Sequence, residues 1–161
     1  MSNSAIRIDP GLTREMELFR ELGEEDAASL AAIASLREVA GKTDLFSQGD
    51  AADSLYILVE GRISLAIQVP GRAHAESVVS TVSTGELLGW SALLPDRVWQ
   101  VSAHVIKPSR LIDIPGAELR QLCERNCGLG YKIATRMLAV VGQRLTESRV
   151  QFLDIFGQTS E

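Results

Sequence analysis

Residues 45–65 read LFSQGDAADSLYILVEGRISL, and on this stretch the fold turns. Its apolar residues change from scattered to alternating: Tyr56 and Leu58, then Ile63 and Leu65, continued by Ile67, recur every second position. A period of two is that of a strand with one face on a core. Gly49-Asp50 reads as the turn that enters this region, and Glu60-Gly61 as a turn between two strands.

Working outward, the same period reaches back to Ser35 through SLREVAG and TDLFSQGD. It runs forward through HAESVVSTVSTGE and VWQVSAHVIKPSRLIDIP, where Lys107-Pro108-Ser109 is expected to separate two strands. Turn signals recurring about every ten residues point to a sandwich or jelly roll and not to a parallel sheet. On both sides the period becomes helical. Upstream, Met16, Leu18, Phe19 and Leu22, then Leu30, Ile33 and Ala34, predict two short helices divided at Gly23, with Asp26 as a cap for the second. Downstream, GAELRQLCERN predicts one helix, and residues 129–156 a much longer one. The long helix carries Tyr131, Ala134, Leu138, Val141, Leu145, Ser148, Phe152 and Ile155 in alternating steps of three and four, as a coiled-coil seam requires. A second stripe, Ile133, Met137 and Val140, lies beside it. One stripe is free to pack on the roll while the other meets a partner; the alternative is that the whole helix covers its own core. The expectation is an α+β chain with a single domain over 17–156, its β-roll at 35–115 and its long helix at 129–156.

Composition removes several function classes. A net charge of −5 over 161 residues, with no cluster of Lys and Arg, argues against direct nucleic-acid binding. No apolar run approaches the length of a membrane span, and MSNSAIRIDPG lacks the apolar core of a signal peptide, so a cytoplasmic protein off the membrane is expected. Two histidines, His74 and His104, and two cysteines, Cys123 and Cys127, offer neither a metal-ligand spacing nor a nucleophile with an adjacent base. The cysteines, four apart, are expected one turn apart at a helix end as reduced, partly buried thiols. No enzyme, no metal and no cofactor is expected, and a cupin-like enzyme would need a histidine-rich centre that is not there.

The order of elements, helices, an eight-stranded roll interrupted by one short helix, then a long helix, resembles the cyclic nucleotide-binding domain of catabolite activator-type regulators and of kinase regulatory subunits. LFSQGDAADSLYILVEGRISL is similar to the family's early stretch, and TGELLGWSALL to its phosphate-binding cassette, with Gly85 opening the turn and Gly89 starting the short helix. Following GWSALLPDRVW, the chain looks like stand-alone bacterial members that carry a Gly-Trp-Ser helix and a second Trp after a Pro-containing loop. Only GQTSE follows Phe156, where a catabolite activator-type chain would begin its helix-turn-helix, so the resemblance implies a sensor module without that DNA-reading part.

What the resemblance implies for the site can be taken residue by residue. In the family, backbone N–H groups at the start of the short helix receive the cyclic phosphate, and Gly89, Trp90, Ser91 and Ala92 stand there in this chain. A carboxylate after the helix-starting Gly accepts the ribose hydroxyl; here that position is Trp90, which has no acceptor. An Arg further on pairs with the phosphate; here Gln100 or Val101 stands in its place. Glu86 is too early to replace the carboxylate without breaking the small-residue turn. Arg97, three or four residues short of the arginine position, replaces it only on a remodelled loop. Trp90 and Trp99 either fill the pocket as core or stack on a different ligand. Three functions stay open at this stage. One is a regulatory module acting through a nucleotide or another small anionic ligand, or through an unknown protein partner, as a homodimer joined by Leu138, Val141, Leu145 and Phe152. The second is an authentic cyclic nucleotide sensor using Arg97 or a remodelled pocket, and the third an enzyme on a jelly-roll scaffold.

Overall fold

The computed structural model describes residues 6–157, and the side chains up to residue 154. Three short helices, α1 (Pro10–Glu15), α2 (Glu17–Leu22) and α3 (Glu24–Ile33), lead into six antiparallel strands and two closing helices. The strands are β1 (Ser35–Val39), β2 (Thr43–Phe46), β3 (Ser54–Gln68), β4 (Glu76–Val82), β5 (Leu87–Leu88) and β6 (Ser102–Pro115). A short 3₁₀ helix, Trp90–Leu93, stands between β5 and β6, and α4 (Gly116–Arg125) and α5 (Cys127–Gly157) end the described chain. The β-roll with flanking helices and a long last helix is the architecture read from the sequence. The side chains of Ile155 and Phe156 lie outside the described residues.

The strand count differs from eight because two expected breaks are bulges. Glu60-Gly61 does not turn the chain; β3 runs through it for 15 residues. Lys107-Pro108-Ser109 does not divide β6, which is 14 residues long. The two irregularities face each other: the β3–β6 register shifts between Leu58 and Ile63, opposite Lys107 to Arg110. Gly61 has φ 115°, and a Cβ there would lie 2.1 Å from Ser109 Oγ, so only glycine fits. Ser109 Oγ accepts a bond from the Arg62 amide and donates to the Lys107 carbonyl. Pro108, which has no N–H to give a ladder, occupies the bulge where none is needed. The bend lets the two long strands serve both halves of the roll.

Those halves hold two apolar clusters. Tyr56, Leu58, Ile63, Leu65, Val82, Leu88, Val105 and Leu111 fill the roll interior together with Phe46 and Trp99. Alternate residues of the same strands, Leu55, Ile57, Ile112 and Ile114, face the helices and join Leu18, Phe19, Leu22, Leu30, Leu119, Leu129, Ile133 and Met137. This division is the period-two pattern made physical, one face of β3 and β6 per cluster.

Three local expectations are corrected. Asp26 does not cap α3, whose N-cap is Gly23; its carboxylate instead accepts from Asn126 Nδ2 at 2.9 Å and Lys132 Nζ at 3.1 Å, tying α3 to the α4–α5 junction. Asn126 breaks the helix between Cys123 and Cys127, so the thiols sit on different helices, Cys123 half-buried and Cys127 exposed. The long helix starts at Cys127 and not at 129. Its two stripes part as expected: Ile133 and Met137 are buried, while Tyr131 and Leu138 are each 72% exposed and Leu145 51%. Val141 and Phe152 are also exposed. No helix among the described residues is long and apolar enough to cross a membrane.

Candidate functional site

The turn that carries Gly85 and Glu86 is pinned to β3 by reciprocal backbone bonds, Gly85 N–H to the Leu58 carbonyl at 2.7 Å and Leu58 N–H to the Glu86 carbonyl at 3.0 Å. Beyond β5, Gly89 takes the left-handed conformation (φ 89°) that starts the 3₁₀ helix. A Cβ at Gly89 would come 2.8 Å from the Ser54 carbonyl and 3.3 Å from the Trp99 ring, so the helix start is pressed against both. At the end of that helix the Ser91 carbonyl accepts the Leu94 amide at 3.1 Å and the Ala92 carbonyl accepts from Arg120 Nη1 at 2.5 Å. Ser91 and Ala92 are buried. The cassette scaffold is therefore rigid, and its two glycines stand where the turn and the close approach require them.

The two tryptophans do not face each other across one pocket. Trp99 is 3% exposed and lies in the roll interior, its ring 3.8 Å from Phe46 at an interplanar angle of 9° and 6.4 Å from Tyr56. Burial pushes the Tyr56 hydroxyl up to about 12, helped by the nearby Asp113 and Asp53 carboxylates. Trp90 belongs to the helix-side cluster, half-buried, with the Arg144 guanidinium of α5 resting 5.6 Å from its ring centroid. The sequence motif placed both indoles beside the cassette; the 3₁₀ helix turns Trp90 toward the helix-side cluster, and the loop bonded to Gly49 and Asp50 sets Trp99 in the roll interior.

The remaining positions are set by the loop between the 3₁₀ helix and β6. Arg97 is exposed with φ 48°; its carbonyl accepts from the Ala52 amide at 2.7 Å, and Trp99 exchanges backbone bonds with Gly49 and Asp50. These ladder bonds fix the loop backbone to the Gly49–Ala52 turn. Gln100 is exposed as well, its amide on Asp96 and the Val98 carbonyl. Val101 packs on the roll interior. The Arg97 side chain is exposed, and neither Gln100 nor Val101 carries a charge.

One group that the sequence reading missed is Arg144. It sits on the wall of a cavity of about 390 Å³ between α1–α2, the β4–β5 turn and α5, lined also by Gly85, Glu86, Ser80, Arg20 and Arg136. Arg144 Nη1 donates to Ser80 Oγ at 2.6 Å, and its Nε is buried without a partner. Burial lowers the pKa of its guanidinium from the ordinary value, an effect the neighbouring Glu86 and Glu147 carboxylates oppose. Glu86 is turned back on the Ser83 amide at 2.7 Å. The signal that could have found Arg144 is the second α5 stripe: Ile133, Met137 and Val140 extend by one helical turn to residue 144. Among the described residues no cluster of His, Cys, Asp and Glu is arranged to hold a metal.

Residues 36–126, more than half of the chain, match the family model of the cyclic nucleotide-binding domain. The chain belongs to the cyclic nucleotide-binding domain family. A solved structure named for cyclic nucleotide binding, from Geobacter metallireducens GS-15, is 30% identical, with a TM-score of 0.76 over 86% of this chain and 98% of that one. The catabolite activator protein of Thermus thermophilus shares the fold at 24% identity, with a TM-score of 0.68 over 87% of this chain and 62% of that one. Among curated proteins, the lysophospholipase nte1 of Aspergillus fumigatus is 26% identical over 111 residues, 66% of this chain. The aligned stretch spans only 7% of that long enzyme, so the likeness is to one part of it. Membership places the cassette in a regulatory family; the chemistry at its positions is this chain's own.

Proposed function

We propose that this chain is a non-enzymatic sensor module that does not hold cyclic AMP or cyclic GMP in the family's usual way, and that it answers to another small ligand or to a protein partner. The observation that carries the reading is Trp99, stacked on Phe46 within the roll and packed against Gly89. Its indole stands where the cassette meets the roll interior. Trp90 in place of a carboxylate and Gln100 or Val101 in place of an arginine remove the polar partners of a ribose and a cyclic phosphate. An authentic cyclic nucleotide sensor using Arg97 would have to break the bonds that hold its loop.

The reading includes a homodimer. Tyr131, Leu138, Val141 and Leu145 form an exposed apolar stripe on α5, and fully burying one leucine contributes about 1.5–3 kcal/mol. A second copy of the same stripe offers the matching surface with the heptad spacing already in place. A cytoplasmic setting away from nucleic acid goes with the net charge of −5.

The test is a thermal-shift screen of metabolites on the dialysed full chain. A ligand at a hundred times its dissociation constant stabilises the folded state by about 2.7 kcal/mol, roughly 5–10 °C for a domain of this size. A stabiliser that is not a cyclic nucleotide supports the proposal. Stabilisation of that order by micromolar cyclic AMP or cyclic GMP sinks it.

A further inference from the structure

The cavity beside the cassette contains a guanidinium that no carboxylate meets in a contact ion pair among the described residues. Of its arginines, Arg136 is paired with Glu17 and Glu21, so its charge is answered. Arg144 is not: among the described residues it makes no ion pair, and it rests on the Trp90 face with one bond to a neutral hydroxyl, Ser80 Oγ. Half-buried, with Nε shielded and unpartnered, it carries the desolvation cost of a cation that Glu86 and Glu147 offset only from a distance, without the direct contact a bound anion would give. Arg20, exposed at the same cavity, also makes no ion pair among the described residues. The carboxylate nearest in sequence to the cassette, Glu86, is engaged by the Ser83 amide.

From this arrangement we infer that the cavity is a binding site for a small organic anion, its phosphate or carboxylate taken by Arg144 with Arg20 at the rim. Guanidinium groups present paired N–H donors that match such oxyanions. The lining also holds four carboxylates: Glu17 is paired with Arg136, while Glu15, Glu86 and Glu147 repel a bare dianion and accept bonds from hydroxyl or amine groups, so the ligand carries donors as well as its anionic group. About 390 Å³ is near the lower limit for small-molecule sites, which suits a metabolite and not a dinucleotide. The inference deepens the sensor reading above by naming the ligand's anionic chemistry and the residue that meets it. The site lies on α5 and the Gly85–Glu86 turn, outside the roll interior that Trp99 fills.

Trp90 supplies the readout, since an anion that draws Arg144 away from the indole changes its emission. The experiment is a tryptophan-fluorescence titration of the full chain with phosphoethanolamine and with inorganic phosphate, using ethanolamine as the control, with the Arg144 variants titrated by calorimetry because they lose the Trp90 reporter. A saturable change with phosphoethanolamine, weakened about tenfold or more in Arg144→Gln and partly kept in Arg144→Lys, is the expected result. Arg20→Gln, an exposed position that leaves Trp90's surroundings intact, should weaken it by a smaller factor. No saturable change with either phosphate compound up to tens of millimolar, or equal binding by a folded Arg144→Gln, overturns the inference. Parallel titration with cyclic AMP keeps the two ideas apart: tight cyclic AMP binding refutes the sensor proposal, while Arg144-dependent binding of phosphoethanolamine upholds this site.

Discussion

Replacing Trp99 with alanine distinguishes an indole that is core from one that waits for a ligand. In the structure the side chain is 3% exposed, stacks on Phe46 and closely approaches Gly89. A buried Trp removes about 150–250 Å² from water, worth roughly 4–6 kcal/mol as an upper bound at 25 cal/mol per Å². Large-to-small truncations of this kind cost about 3–5 kcal/mol when the site cannot collapse, and stacked rings add about 0.5–1.5 kcal/mol. The roll is braced here by the backbone bonds of Trp99 with Gly49 and Asp50, so little collapse is available. Trp99→Ala should therefore lose about 3–5 kcal/mol without any ligand present. With a urea slope of about 2 kcal/mol per molar, the unfolding midpoint falls by roughly 2 M. Urea denaturation followed by far-ultraviolet circular dichroism measures it. A loss below about 1 kcal/mol would refute the reasoning, because burial would then count for little and a ligand-stacking role would be the better account.

Two further outcomes follow from other parts of the chain. Leu145→Glu places a charge in the exposed α5 stripe and should convert dimers to monomers in sedimentation without unfolding the roll; a wild type that is monomeric at high concentration contradicts the dimer. His104 joins β6 to β2 and β4 through Asp44 at 2.6 Å on Nδ1 and Glu76 at 2.5 Å on Nε2. The bond to Asp44, with Glu76, raises its pKa above the ordinary 6.5, so the clamp's contribution to stability is complete below 6.5 and is lost as pH rises through the folded value. An NMR titration should place the His104 transition above 6.5, and His104→Gln should flatten the stability-versus-pH curve there; a transition below 6.5 rejects the clamp.

How much of this was legible in the sequence depends on whether the signal was local. Alternation in Tyr56, Leu58, Ile63 and Leu65 reports a sheet face because neighbouring residues settle it, and the stripes of α5 report their burial for the same reason. Glu60-Gly61 and Lys107-Pro108-Ser109 each look like a chain reversal taken alone. Only their juxtaposition, Gly61 against Ser109, makes them halves of one bulge, and that pairing spans nearly fifty residues. At the site, motif spacing sets Trp90 at the carboxylate position and Gln100 or Val101 at the arginine position, and that assignment remains part of the proposal. The placing of the indoles on opposite faces was not legible, because it depends on how a loop is laced to Gly49–Ala52. For Arg144 the α5 stripe marks the face it lies on, but its partners Ser80 and Trp90 lie more than fifty residues away, so its setting was not legible.

The central claim is that the cassette keeps its scaffold and has lost its grip on cyclic nucleotides. Without the phosphate arginine, one charge-assisted bond of about 1.5–3 kcal/mol is missing, and a ribose hydroxyl facing Trp90 is left without an acceptor at about 1–3 kcal/mol. Together these remove roughly 2.5–6 kcal/mol, or about two to four powers of ten in affinity, before the space taken by Trp99 is considered. Isothermal titration calorimetry of the full chain with cyclic AMP and cyclic GMP measures this directly. The account predicts dissociation constants of about a millimolar or no detectable heat, and a low-micromolar constant for either nucleotide would contradict it.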